Sequence, residues 1–335
     1  MPVRGVGETA QEVAQARVPV LLPSSGPQSL LRYGKASSAM TKATAARRRL
    51  LQMLASCRAL LNFRMARQRL GQHFLSDLEC REQIARAIGV SRHSIGGTRT
   101  GSENSCWIEI GAGHGEMTEQ LVASGAAVYA IELDAPLIAE LQRLAKQFSN
   151  LIVVPGDVLA LDLAAIAQGR RLRVYGNLPY YITSPILQRL FDVADLLDEI
   201  HIVIQREVAL RLAAAPGSSD YGYLSVLTQY FSRPDIAMEI HREAFTPPPE
   251  VESALVTLRF PGVRASLAIP DEKALFDFVK MCFAKKRKTL VNNLRALAKP
   301  ETVREALAAL QLRPDARAEQ LTVSQLAALH RHLHK

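Results

Sequence analysis

The sequence predicts an α/β fold: a mostly parallel sheet with an antiparallel edge, followed by a small all-α C-terminal domain. Three observations carry that expectation. From residue 106 onward, short β-rich runs alternate with segments of helical spacing, the pattern of a parallel sheet covered on both faces. Two further β-rich runs then follow each other without a long helix between them. After Pro261-Gly262 the pattern becomes wholly helical.

Taken in order, Cys106–Ile110, Ala127–Glu132, Leu151–Val154, Leu172–Tyr175 and Glu199–Ile204 read as buried parallel strands. Between them, Pro136–Gln147 places Leu137, Leu141 and Leu144 at helical spacing. Ile236–His241 and Ser253–Phe260 form the antiparallel pair, and Glu272–Phe283 and Glu301–Gln311 are helices of the tail. The expected organisation is therefore an extension over 1–64, an α/β domain over 65–261 and a helical domain over 262–335.

The extension differs from the rest. Its first forty residues are rich in Pro, Gly, Ser and Gln without a sustained period, a composition that does not build a core. Residues 41–64 are rich in Ala, Leu and Arg and hold no acid. Either this is an organelle-targeting segment, or translation begins at Met65. The net charge of +9 belongs largely to this stretch: residues 1–64 hold 10 of the 41 basic and 2 of the 32 acidic residues, leaving a nearly neutral body. Overall basicity thus says little about nucleic acid, and a local patch is needed; Lys285, Lys286, Arg287 and Lys288 supply one. Four scattered cysteines with no C-x-x-C pair argue against disulfides or a zinc site. No apolar run is long enough for a membrane helix, and a cytoplasmic protein is expected.

Glu109-Ile110-Gly111-Ala112-Gly113-His114-Gly115 follows a strand and opens a helix. Its glycines permit a tight turn and close approach of a ligand to the backbone. The dinucleotide fingerprint would require a third glycine where Glu116 stands. The spacing is instead Gly-x-Gly-x-Gly, with Glu109 two residues before Gly111. This resembles the first motif of class I (Rossmann-like) methyltransferases. A carboxylate there suits a ligand bearing an ammonium and a sulfonium rather than a pyrophosphate. Glu132, at the end of the second strand, can accept from both ribose hydroxyls. Asp157, after the third, would face the adenine amine of S-adenosyl-L-methionine.

Asn177-Leu178-Pro179-Tyr180 follows the fourth strand and resembles the motif of enzymes that methylate exocyclic amines of nucleobases. The lone pair of adenine N6 is delocalised into the ring. Two acceptors aimed at its N–H groups, the Asn177 side-chain oxygen and the Leu178 or Pro179 carbonyl, would favour a pyramidal, nucleophilic nitrogen. Positioning and electrostatics then supply most of the catalysis, with no metal required. Tyr180 would stack on the extruded base. Phe245, in the proline-rich loop Ala244–Pro249, is a second candidate for stacking.

With these residues in hand, the chain resembles the ribosomal RNA adenine dimethyltransferase family, and within it the bacterial small-subunit branch. The likeness runs over about 65–335 through Arg69–Leu75, Glu109–Thr118, Ile131–Asp134, Gly156-Asp157 and Asn177–Tyr180, then Gln205–Val208, Phe245–Ser253 and Phe283–Leu294. It implies that His73, Leu75, Gly111, Glu132, Asp157 and Asn177 contact the cofactor; Glu109 and Gly113 of the glycine motif are further candidates. It also implies that Arg206 and Lys285–Lys288 meet RNA, and that two adjacent adenines in the 3′-terminal hairpin of small-subunit rRNA each receive two methyl groups. The substrate would be small-subunit rRNA or an immature small subunit, and the enzyme a monomer. His73 stands where many members carry Asn, and Lys286 where Arg is frequent. The rivals are a large-subunit rRNA adenine methyltransferase, a DNA adenine methyltransferase, and an assembly factor whose catalysis is secondary.

Overall fold

The computed structural model describes residues 73–90 and 104–334. The 1–64 extension, Met65 and the Arg69–Gln72 part of the first motif lie outside the described residues.

Strand β1 (Phe74–Leu75) and helix α1 (Leu78–Ala87) come first. They are followed by β2 (Ser105–Ile110), α2 (Thr118–Val122), β3 (Ala127–Glu132), α3 (Ala135–Leu144), β4 (Leu151–Pro155) and α4 (Leu163–Ala167). Then come β5 (Arg171–Asn177), α5 (Thr183–Phe191), β6 (Leu197–Gln205), α6 (Arg206–Ala213), α7 (Tyr223–Phe231), β7 (Arg233–Ile240), β8 (Phe245–Thr246) and β9 (Ser253–Arg259). Every residue of β2 is buried, which explains why it reads Ser-Cys-Trp-Ile-Glu-Ile without the alternation of a half-exposed strand. Helix starts are set by side-chain caps: Asp77 accepts from Cys80 N at 2.8 Å, Asp162 from Ala165 N at 3.0 Å, and Asp271 from Ala274 N at 2.9 Å.

The main sheet has the order β4-β3-β2-β5-β6-β9-β7. Its first five strands are parallel; β9 is antiparallel to β6, and β7 to β9. The antiparallel edge expected from the sequence is thus present. Strand β7 has the near-alternating exposure of an edge and tolerates Pro234 there. From β2 the chain moves outward through β3 to β4, then returns to the other side of β2 as β5. The strand order therefore reverses between β2 and β5, and the crevice beyond their carboxyl ends is where such a sheet binds ligands.

Helices α8 (Arg264–Leu267), α9 (Glu272–Cys282), α10 (Leu290–Asn293), α11 (Pro300–Ala309) and α12 (Val323–Leu333) make up the tail. It is joined to the sheet domain closely. Any side chain at Gly262 would meet Ser232 N at 2.5 Å and two carbonyls of α7 at 2.7 Å, so the junction requires glycine. Phe276 packs edge-on against Tyr230 and stacks on Phe231, with ring centroids 5.2 and 5.7 Å apart. Lys285–Lys288 interrupt the wholly helical pattern expected of this region: they lie in turns between α9 and α10. The Asn293 amide stops α9 by donating to the Cys282 carbonyl at 2.6 Å, and it holds the turn by donating to Lys285 O at 3.2 Å.

Candidate active site

The crevice at the switch point is a cavity walled by both halves of the sequence-predicted constellation. His73, Gly111, Gly113, Glu132, Asp157, Asn177, Leu178, Pro179 and Tyr180 all line it.

On the β2–β4 side, Gly111 and Gly113 adopt φ of +68° and +58°, a region costly for any residue with a Cβ. At Gly113 that Cβ would also press the Phe74 ring at 3.3 Å. Glu132 ends β3 and is 4% exposed. One carboxylate oxygen accepts from Gly113 N at 2.9 Å; the other accepts from Leu133 N at 2.7 Å and Asp134 N at 2.9 Å. Three backbone donors fix the carboxylate while leaving acceptor capacity for a hydroxyl. Asp134, not Glu132, caps α3. Asp157 both lines the cavity and accepts from Leu159 N at 3.0 Å. Val158, Leu133 and Ile186 add apolar wall. A glycine turn, a pinned carboxylate and a second acid beside apolar surface fit the ribose and adenine of S-adenosyl-L-methionine.

On the β5 side, Leu178 N donates to Val203 O at 3.0 Å, anchoring the turn to β6. The Asn177 amide nitrogen donates to the His73 carbonyl at 2.8 Å, which leaves the oxygen of this cavity-lining residue as its acceptor. The Pro179 carbonyl accepts from Ile182 N at 3.1 Å and Thr183 Oγ1 at 3.4 Å. Of the two backbone acceptors considered, Leu178 O is therefore the one not spent on the turn. Tyr180 is half-buried, its hydroxyl 2.8 Å from Ser253 Oγ and its ring stacked on His73 at 5.9 Å. Burial pushes the Tyr180 phenol up from its usual range. His73 Nδ1 in turn donates to Pro247 O at 2.7 Å.

A strap holds this side together. Strands β1 and β8 pair antiparallel, Phe74 with Thr246 and Leu75 with Phe245. Ser76 Oγ lies 2.7 Å from Thr246 Oγ1, and the Ser76 and Asp77 amides both donate to Ala244 O. Part of the proline-rich loop is thus a short strand, where the sequence suggests no regular structure. The pairing turns Leu75 and Phe245 into the core at 4% and 2% exposure, so the Phe245 ring is not on the cavity wall. Phe74, on the opposite face of the strap, does line the cavity and packs on His114 with centroids 4.7 Å apart.

Glu109 also lies off the wall. It is 2% exposed beneath the glycine turn and accepts from Thr118 Oγ1 at 2.5 Å. Burial, opposed by that hydrogen bond and reinforced by Glu116 and Glu132, pushes its carboxyl up to about 8. Arg206 sits on a separate concavity with Arg242, Glu250 and Glu252, its guanidinium donating to Glu239 at 2.7 Å. Lys285–Lys288 are exposed, and Lys286 Nζ donates to the Ser219 carbonyl. Sequence reasoning missed Phe74 and Tyr181 as cavity residues. For Phe74 a strand of two residues carries no period to mark it; only the pairing with β8 sets it on the face opposite the buried Leu75.

No group of three or more His, Cys, Asp or Glu able to hold a metal is found among the described residues. No helix among them is long and apolar enough to cross a membrane.

Comparison with known proteins gives consistent neighbours. Residues 63–335 match the family model described as ribosomal RNA adenine dimethylase. The chain is 35% identical over 269 residues to "Ribosomal RNA small subunit methyltransferase A" of Caldanaerobacter subterraneus, an alignment covering 79% of this chain and 96% of that protein. It is 39% identical over 264 residues to the protein of that name from Xanthomonas campestris, covering 79% and 95%. Among solved structures, a dimethyladenosine transferase from Plasmodium falciparum superposes with a TM-score of 0.61 at 22% identity, covering 77% of this chain and 96% of that one. The 23S rRNA methyltransferase ErmE does so with a TM-score of 0.58 at 23% identity, covering 78% and all of that chain. These two likenesses speak to the fold.

Proposed function

The chain belongs to the ribosomal RNA adenine dimethylase family, and from that premise we propose that it dimethylates N6 of two adjacent adenosines in the 3′-terminal hairpin of small-subunit rRNA. It is a methyltransferase that uses S-adenosyl-L-methionine. The observation that carries the reading is the pinned Asn177 amide: its nitrogen is bound to His73 O, so its oxygen is the acceptor left over in a cavity that Leu178, Glu132 and Asp157 also line.

The cofactor supplies a methyl group on a sulfonium, which needs little activation. The protein's part is placement. Asn177 Oδ1 and Leu178 O accept from the two N–H groups of the amine, turning its lone pair toward the crevice. Tyr180, braced by Ser253 and His73, presents a ring to the flipped base. After one transfer the remaining N–H still has an acceptor, so the same geometry supports a second. Glu132 holds the ribose hydroxyls and Asp157 the adenine amine of the cofactor, while Glu109 works from below by tying β2 to α2 through Thr118.

On the RNA side, the 262–335 domain serves binding. Exposed Lys285, Arg287 and Lys288, with Arg206, meet phosphates and give salt-sensitive affinity without sequence readout. The substrate in this reading is an immature small subunit in the cytoplasm, and the enzyme acts as a monomer. The test is transfer of labelled methyl groups to undermethylated small subunits. The reading expects uptake approaching four methyl groups per subunit, and label confined to large-subunit RNA or to DNA would overturn it.

A further inference from the structure

Tyr180 and Tyr181 are neighbours in one 3-10 turn, Tyr180–Ile182, yet their surroundings are opposite. Tyr180 is half-buried and held by Ser253 and His73. Tyr181 is 62% exposed, lines the same cavity, and has no hydrogen bond or ring contact among the described residues. Large apolar side chains exposed among the described residues are Leu78, Ile152, Val251 and Tyr181, and of these Tyr181 alone lines the cavity. A ring left bare at the mouth of a site that takes in a base is placed to meet what remains outside.

The chemistry of base extrusion says what that is. Swinging one nucleotide out of its stack strips a stacking face from the next base. An aromatic side chain at the cavity mouth replaces the lost partner, and it does so for any base because every base has a π face. Tyrosine suits the task, since it offers a large rigid face at a low entropy cost of ordering. We propose that Tyr181 is the stacking platform for the nucleotide adjacent to the flipped adenine. The proposal rests on the rRNA adenine reading, and under it the adjacent nucleotide is the second target adenine.

The test uses small subunits reassembled around rRNA that carries 2-aminopurine, a fluorescent adenine analogue quenched by stacking, beside the target. Sinefungin, an unreactive analogue of the cofactor, holds the complex before transfer. With the wild-type chain the probe stays quenched while the target is flipped. Tyr181→Ala should raise its fluorescence several-fold and raise the KM for the RNA roughly tenfold, with cofactor Kd and melting temperature unchanged. Tyr181→Trp should keep both values near wild type. Equal fluorescence and equal KM for wild type and Tyr181→Ala, with wild-type methylation intact, would overturn the platform and leave the substrate reading standing. A wild-type chain that methylates no small-subunit adenine would remove the reading and the platform together.

Discussion

The two sides of the crevice are built by different means. On the cofactor side the key carboxylates are held by nearby backbone: Glu132 by Gly113, Leu133 and Asp134, and Asp157 by Leu159. On the base side each group is held by a distant partner. Asn177 leans on His73, 104 residues away, Tyr180 on Ser253, 73 away, and His73 on Pro247, 174 away. The first side is a local consequence of strand ends and turns. The second exists only once the strap of β1 and β8 has closed. Damage to one side should therefore leave the other largely intact, with cofactor affinity reporting the local side and methyl transfer the assembled one.

The largest expected effect is at Asn177. Asn177→Ala removes the acceptor proposed for the amine, and single-turnover methylation should fall by about a thousandfold, at the upper end for loss of one preorganised polar group. Calorimetry should show a far smaller change in cofactor affinity; an equal loss of both would erase the division between the sides. Tyr180→Ala should slow transfer by roughly a hundredfold, since base–aromatic stacking reaches about 3 kcal/mol, again with cofactor binding retained. Undiminished turnover would refute the stacking role. Glu132→Ala reverses the pattern: cofactor Kd should rise on the order of thirtyfold as the ribose loses its charged acceptor and three amides lose theirs, while RNA affinity holds. Unchanged cofactor binding by calorimetry would refute that assignment.

The smallest effect concerns stability. Glu109 titrates at about 8 in the folded chain against 4.5 ordinarily. The folded state therefore holds a proton that the unfolded state has lost between those values. Its contribution to stability is fully present below 4.5 and is lost as pH rises towards 8, by on the order of a few kcal/mol. Glu109→Gln should flatten that slope in denaturant titrations across this pH range. A slope identical to wild type would mean that the buried carboxyl is ionised as the chain folds.

What the sequence made legible divides along the same line. Glu132, Asp157 and Asn177 could be placed because each ends a run whose apolar pattern marks a strand, and parallel strands bring their ends to one edge. The two-residue strands β1 and β8 carry no period, and their pairing is decided by contacts across some 170 residues. That is why Phe245 read as a cavity residue although its strand turns it inward, and why Phe74 was overlooked. The basic run Lys285–Lys288 has helical composition, but the Asn293 amide, several residues on, ends α9 before it. Glu109 reads from the sequence as a carboxylate for the cofactor, and nothing in its spacing reveals that it is buried against Thr118 instead.

The most direct test is to incubate the chain with labelled cofactor and undermethylated small subunits, digest the rRNA, and map the modified nucleosides by mass spectrometry. The account predicts N6,N6-dimethyladenosine at two adjacent positions of the 3′-terminal hairpin, and none with Asn177→Ala. Monomethylation elsewhere, or modification confined to large-subunit rRNA, would contradict it.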